Sequence, residues 1–136
     1  MNHQTVFGLQ EKNNEQIKGQ ERMPKCPDSV LNLLKNTKEQ FLYLDLETDY
    51  EEQNVQCFSF TFDGKTVYNI PWLDYNYKPA YINMHQLYLA LRIAIRDNTV
   101  VCHNGACFDY LVLAMKLHIP VYRVYDTLIA MHRCFP

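Results

Sequence analysis

The chain has 136 residues, 48% of them hydrophobic, and a formal net charge of −2. That length suits one compact domain with an ordinary core, and the charge excludes a general basic field for a polyanion. Any nucleic-acid contact must be local or supplied from elsewhere.

The five cysteines are odd in number and lack C-x-x-C spacing. This argues against a disulfide framework or a zinc site and for a reducing, intracellular setting, the cytoplasm. No N-terminal apolar run reads as a signal peptide, and no stretch approaches the roughly 18 apolar residues of a membrane span.

Residues 1–24 are dominated by Gln, Glu, Asn and Lys and read as a flexible polar leader. The remainder, 25–136, reads as one domain. Asp28 or Ser29 is placed to cap a short helix over 30–35, with Val30, Leu31, Leu33 and Leu34 as its apolar face. Residues 41–46 form the first strand, and 55–62 alternate as a second. Asp63-Gly64 signals a hairpin turn, so 65–70 is the return strand. Residues 71–79 make an aromatic loop.

Apolar residues at 84, 87, 88, 91 and 95 have helical spacing over 84–96. Residues 99–102 are apolar after Thr99, as a buried parallel strand should be. A helix over 106–117 follows, ended by Pro120, then a strand over 121–125. Asp126 or Thr127 caps a last helix beginning at Leu128. The order β-β-β-α-β-α-β-α implies an α/β fold in which an antiparallel meander runs into crossovers, giving a mixed sheet covered by helices.

Against this frame the carboxylates stand out. Asp45 and Glu47 sit at i and i+2 of the first strand, so both project from one face. Like charges that close disfavour one another unless a cation lies between them. Their hard oxygen donors suit Mg²⁺ or Mn²⁺; the plainer reading is a strand emerging into solvent. His103, Asn104, Phe108 and Asp109 span the end of the buried strand and the start of a helix, where sites form in such sheets. Gly105 permits a tight turn, and Asp109 can swing over the same rim. A first-turn acid favoured by the helix dipole is the plainer alternative. Asp126 reads as an N-cap.

DLET at 45–48, HNGACFDYLVL at 103–113 and YDTLIAMH at 125–132 together resemble the 3′-5′ exonuclease domain of the DEDD superfamily. Within it they are most similar to the proofreading domains of family A, polymerase I-like DNA polymerases, especially those of bacteriophages. The likeness runs from about residue 39 to the last. It implies a ribonuclease H-like fold and a two-metal Mg²⁺ or Mn²⁺ centre that hydrolyses phosphodiester bonds at a single-stranded DNA 3′ end. By this resemblance Asp45, Glu47 and Asp109 are metal ligands and catalytic residues, with Asp45 best placed to bridge both ions. Thr48, Asn104 and Phe108 contact substrate, and Asp126 and Thr127 brace the helix behind the site. Tyr50, Trp72 and Tyr75 are further candidate base platforms.

The family also carries a Tyr or His followed four residues later by an Asp. Tyr122 and Asp126 fit that spacing but sit on the strand before the last helix, and Asp126 already matches the Asp-Thr feature. The fourth carboxylate is therefore missing, which leads to the expectation of a C-terminally incomplete domain, partnered by a C-terminal remainder or a polymerase domain and weak or inactive alone. Two alternatives stand beside the proofreading portion: a stand-alone ribonuclease of the same superfamily, and a non-catalytic docking module that retains the fold.

Overall fold

The structure is a computed structural model that describes residues 23–135. The expected leader lies outside the described residues except for Met23 and Pro24. The elements in chain order are α1 (Asp28–Asn36), β1 (Phe41–Thr48), β2 (Val55–Thr61), β3 (Tyr68–Pro71), α2 (Met84–Asp97), β4 (Thr99–Cys102), α3 (Asp109–Lys116), β5 (Val124–Asp126) and α4 (Thr127–Cys134). The five strands form one sheet ordered β3-β2-β1-β4-β5. β1, β2 and β3 pair antiparallel, whereas β4 and β5 extend the sheet in parallel. The expected α/β architecture is present, a mixed sheet with an antiparallel half and a crossover half.

The period of a strand divides the sheet into two unlike faces. Along β1, Leu42, Leu44 and Leu46 are buried while Phe41, Tyr43, Asp45 and Glu47 are exposed. Pairing sets Phe60 beside Leu44, Phe58 beside Leu46 and Val100 beside Leu42, so the apolar face is continuous across three strands. Val30, Leu31 and Leu34 of α1 and Leu87, Leu91 and Ile95 of α2 close over it in one core. Each such side chain contributes roughly 2 kcal/mol by leaving water. Buried Asn98 ties the helices to the sheet: it accepts from the Gln40 amide at 2.9 Å and donates to the Thr37 and Ala94 carbonyls, both at 2.8 Å.

Several boundaries differ from the sequence expectation. Neither Asp28 nor Ser29 caps α1; Pro27 holds the cap position without a side-chain bond, and Asp28 is the first helical residue, paired with Lys25. The return strand starts at Tyr68 rather than 65, because the Asp63 carboxylate accepts the Lys65 and Thr66 amides and holds the turn closed. The fifth strand covers only Val124–Asp126. α3 begins at Asp109, three residues late, because the backbone amides of Asn104 and Ala106 are committed to the Asp126 carboxylate. Among the described residues, no helix is long and apolar enough to cross a membrane.

Candidate active site

The site is built where β1 outruns β4. The β4 ladder stops at the Tyr43–Val101 pair, so the next stretch of β1 has no strand on that side. Asp109 fills the gap. Its Oδ1 accepts the backbone N–H of Leu46 at 3.0 Å, and the residue is 3% exposed. Leu46 lies between Asp45 and Glu47, so this bond pins the third acid to the strand position flanked by the first two.

Asp45 and Glu47 share the uncovered face, as their i, i+2 spacing requires. Cys57, opposite Glu47 on β2, registers both: burial pushes its thiol up, and Glu47 and Asp45 push it further. Burial likewise raises the carboxyl of Asp109. The Leu46 amide opposes that rise, and the charge of Asp45 reinforces it. Beneath them the Cys102 thiol is pushed up to about 12 by burial and then by Asp109, with Asp45 adding to the effect.

The turn joining β4 to α3 is shaped by two neighbouring residues. Asn104, not Gly105, takes the left-handed conformation, at φ 61°. Gly105 is required for closeness: a Cβ there would meet the Cys102 Cβ at 2.5 Å and the Tyr110 ring at 3.0 Å. Asp126 then organises the turn. Its carboxylate accepts the amides of Asn104 and Ala106, each at 3.0 Å, and caps α4 through Leu128 at 2.9 Å and Ile129 at 3.4 Å. The Ala106 amide, followed by those of Leu128, Asn104 and Ile129, holds its carboxyl below the usual range. Asp126 is thus both N-cap and brace, and the loop it braces carries Asn104 and Phe108.

The remaining expected residues separate. Thr127 Oγ1 lies 2.9 Å from His103 Nδ1 and donates to the Cys102 carbonyl at 3.3 Å. Thr48 is half-buried at the end of β1, where a bulge shifts the register against Val55. Phe108 is half-buried against the core, and Asn104 is exposed. Trp72 packs edge-on against Phe58, 6.0 Å between ring centres, on the face opposite Asp45, so it is core and not a base platform. Tyr50 and Tyr75 are exposed.

Sequence reasoning singled out His103 and Thr127 but overlooked the neighbours of Asp45 on β2. A groove of about 300 Å³ runs over Tyr43, Asp45, Ser59, Thr61, His103 and Thr127. Ser59 and Thr61 could have been found from strand parity, since the β1–β2 register sets them beside Asp45 and Tyr43.

The donor set of Asp45, Glu47 and Asp109 consists of hard oxygens suited to Mg²⁺ or Mn²⁺. The arrangement is not a finished cage: among the described residues, no three His, Cys, Asp or Glu side chains are disposed to hold one ion together.

No family model matches the chain, and no curated protein matches it. Among solved structures it is similar to the EXD2 exonuclease domain soaked in Mg and GMP, with a TM-score of 0.52 and 16% identity over 78% of this chain and 53% of that one. The fold is that of an exonuclease domain. The α/β sheet with its antiparallel and parallel halves is the ribonuclease H-like arrangement, and the chain spans about half the length of the domain it matches.

Proposed function

We propose that the chain is the 3′-5′ exonuclease portion of a polymerase I-like DNA polymerase of bacteriophage type. It would remove nucleotides from a single-stranded 3′ end during proofreading in replication, in the host cytoplasm. The observation that carries this reading is the bond from the Leu46 amide to Asp109, which joins the acid of α3 to the Asp45–Glu47 strand. The exonuclease-domain fold supports it.

Asp45, Glu47 and Asp109 would hold two Mg²⁺ or Mn²⁺ ions, which when bound supply an activated water and charge stabilisation for the leaving oxygen. The protein's own contributions differ by residue. Asp45 and Glu47 are open to solvent and meet the incoming phosphate side, whereas Asp109 is shielded from water. Asp126 sets the loop, so Asn104 and Phe108 reach the substrate from a fixed turn. Thr127 orients the His103 ring at the edge of the Asp45 groove.

The match covers about half of the neighbouring domain, and the proposed partner is the other half of such a domain or an attached polymerase. Alone, the chain binds Mn²⁺ weakly and cleaves DNA slowly or not at all. A stand-alone ribonuclease is the second reading, favoured by the ribonucleotide GMP in the neighbour's soak. A docking module is the third, favoured by the unfinished metal cage.

One experiment separates them. Thermal unfolding is followed against Mn²⁺, alongside cleavage of matched DNA and RNA oligomers labelled at either end. The proofreading reading expects a small Mn²⁺-dependent stabilisation lost in Asp45→Asn, and any cleavage to favour DNA from its 3′ end. Preference for RNA selects the second reading, and absence of any Mn²⁺ effect selects the third. Vigorous cleavage by the chain alone that Asp45→Ala abolishes would overturn the partner requirement.

A further inference from the structure

We propose that Ser59 and His103 are positioning residues for the metal centre: they flank Asp45 and accept the hydrogens of water carried by an ion bound there. This inference rests on the exonuclease reading and extends its metal centre to two neutral side chains.

Strand register sets both residues beside Asp45. The β1–β2 ladder places Ser59 directly opposite Asp45, and Asn69 of β3 lies opposite Ser59. Residues opposed in this way share a face. On the other side, His103 stands two residues past Val101, as Asp45 stands two past Val101's partner Tyr43. It also stands one past Cys102, as Thr127 stands one past Cys102's partner Asp126. Asn69, Ser59, Asp45, His103 and Thr127 therefore form one polar row across the open face. The last four line the same groove of about 300 Å³.

The hydrogens of the row are spent at its two ends. The Ser59 hydroxyl donates to Asn69 Oδ1 at 2.5 Å. A hydroxyl has one hydrogen, so Ser59 offers only lone pairs toward Asp45. The Thr127 hydroxyl donates to the Cys102 carbonyl, so the 2.9 Å bond between Thr127 and His103 is donated by Nδ1. The neutral ring then carries its hydrogen at Nδ1 and a lone pair at Nε2. Among the described residues, His103 forms no ion pair with Asp45. The centre of the row is thus three acceptors without a donor: Ser59 Oγ, the Asp45 carboxylate and His103 Nε2.

An acceptor-only set around an acid suits a cation that brings its own O–H groups. A hard divalent ion held by few carboxylates keeps several of its waters. Among the described residues, Asp45, Glu47 and Asp109 do not close a cage round one ion. The groove has room for that water, since one molecule occupies about 30 Å³. Side chains one layer out from an ion fix its place by bonding what it carries.

Mn²⁺ binding, read from the EPR signal of the free ion, tests this without cleavage. His103→Asn keeps an N–H for Thr127 and leaves no acceptor at the Nε2 position. It is expected to bind Mn²⁺ about tenfold more weakly, the lower end for residues one layer out from a metal. His103→Gln carries an oxygen to the Nε2 position and is expected to restore most of the affinity. Ser59→Ala is expected to lose about as much as His103→Asn. Each variant is expected to unfold at the wild-type temperature in EDTA. The ¹⁵N spectrum of the wild-type His103 ring, in mildly alkaline EDTA buffer, is expected to show a hydrogen on Nδ1 and none on Nε2.

Wild-type Mn²⁺ affinity in either His103→Asn or Ser59→Ala overturns the proposal, as does a hydrogen found on Nε2. Equal weakening in His103→Asn and His103→Gln also overturns it, because the ring would then act only through Thr127. The metal reading fails separately. A chain that takes up no Mn²⁺, or an affinity that Asp45→Asn leaves unchanged, sinks that reading and the proposal with it. Loss in Asp45→Asn beside wild-type affinity in His103→Asn sinks the proposal alone.

Discussion

The two faces of the sheet use the same strands for opposite purposes. On the covered face, Leu42, Leu44 and Leu46 of β1 meet Phe58 and Phe60 of β2 and are closed over by α1 and α2. On the uncovered face, the residues between them in sequence are Phe41, Tyr43, Asp45 and Glu47, all exposed. One strand thus supplies both core and chemistry by parity alone. The rigid side fixes where the acids stand, while the open side leaves them free to bind. The cost of a substitution should therefore depend on its face before its chemistry.

The largest stability effect belongs to the covered face. Leu44→Ala should lose about 3 kcal/mol, within the range for buried leucines truncated in a packed core, read as a lower denaturant midpoint at unchanged slope. Its counterpart Asp45→Asn should leave that midpoint almost unmoved. It should remove the Mn²⁺ effect and reduce any cleavage about 10²- to 10³-fold, the scale of losing one preorganised charge-stabilising contact. A large stability loss in Asp45→Asn would break the division between the faces.

Asp126 lies between these extremes, because it holds both a helix end and the site loop. Asp126→Ala should cost about 1–2 kcal/mol, as for other lost N-caps, and should loosen the turn at 103–108, read as faster amide exchange at Asn104 and Ala106. Its carboxyl lies below the usual range, so its contribution is present above the ordinary carboxylate value and is lost as pH falls through the depressed one.

Asp109 works in the opposite sense. Its carboxyl is raised, chiefly by burial, so its favourable contribution is full below the ordinary carboxylate value of about 4 and disappears as pH rises through the raised one. Asp109→Asn keeps an oxygen for the Leu46 amide and removes the buried charge. It should raise the unfolding temperature at pH 7, and the gain should vanish below about pH 4. An equal gain at both pH values would mean that the charge is not the cause. The smallest effect is expected at Tyr43→Ser on the open face, within about 0.5 kcal/mol of wild type.

Much of this division was legible in the residues. The alternation across 41–47 already separates a leucine row from an acid row, because a strand offers only two faces. The run at 99–102 declared a buried parallel strand, and the turn signals ordered the meander. Boundaries were less legible where side chains capture backbone amides. Asp63 delays β3 and Asp126 delays α3, and in each case the capturing carboxylate is distinguishable from an ordinary turn residue only once its partners are placed.

What the sequence determined by itself was the element order and the shared face of Asp45 and Glu47, since both follow from local period. Only the tertiary structure decided that β4 stops short of β1's end, that Asp109 takes the Leu46 amide there, and that Asp126 grips the loop from 20 residues away. It also put Trp72 in the core and left Leu111 and Met115 in water. Those outcomes depend on strand register and on which buried polar groups find partners, and neither quantity is local in sequence.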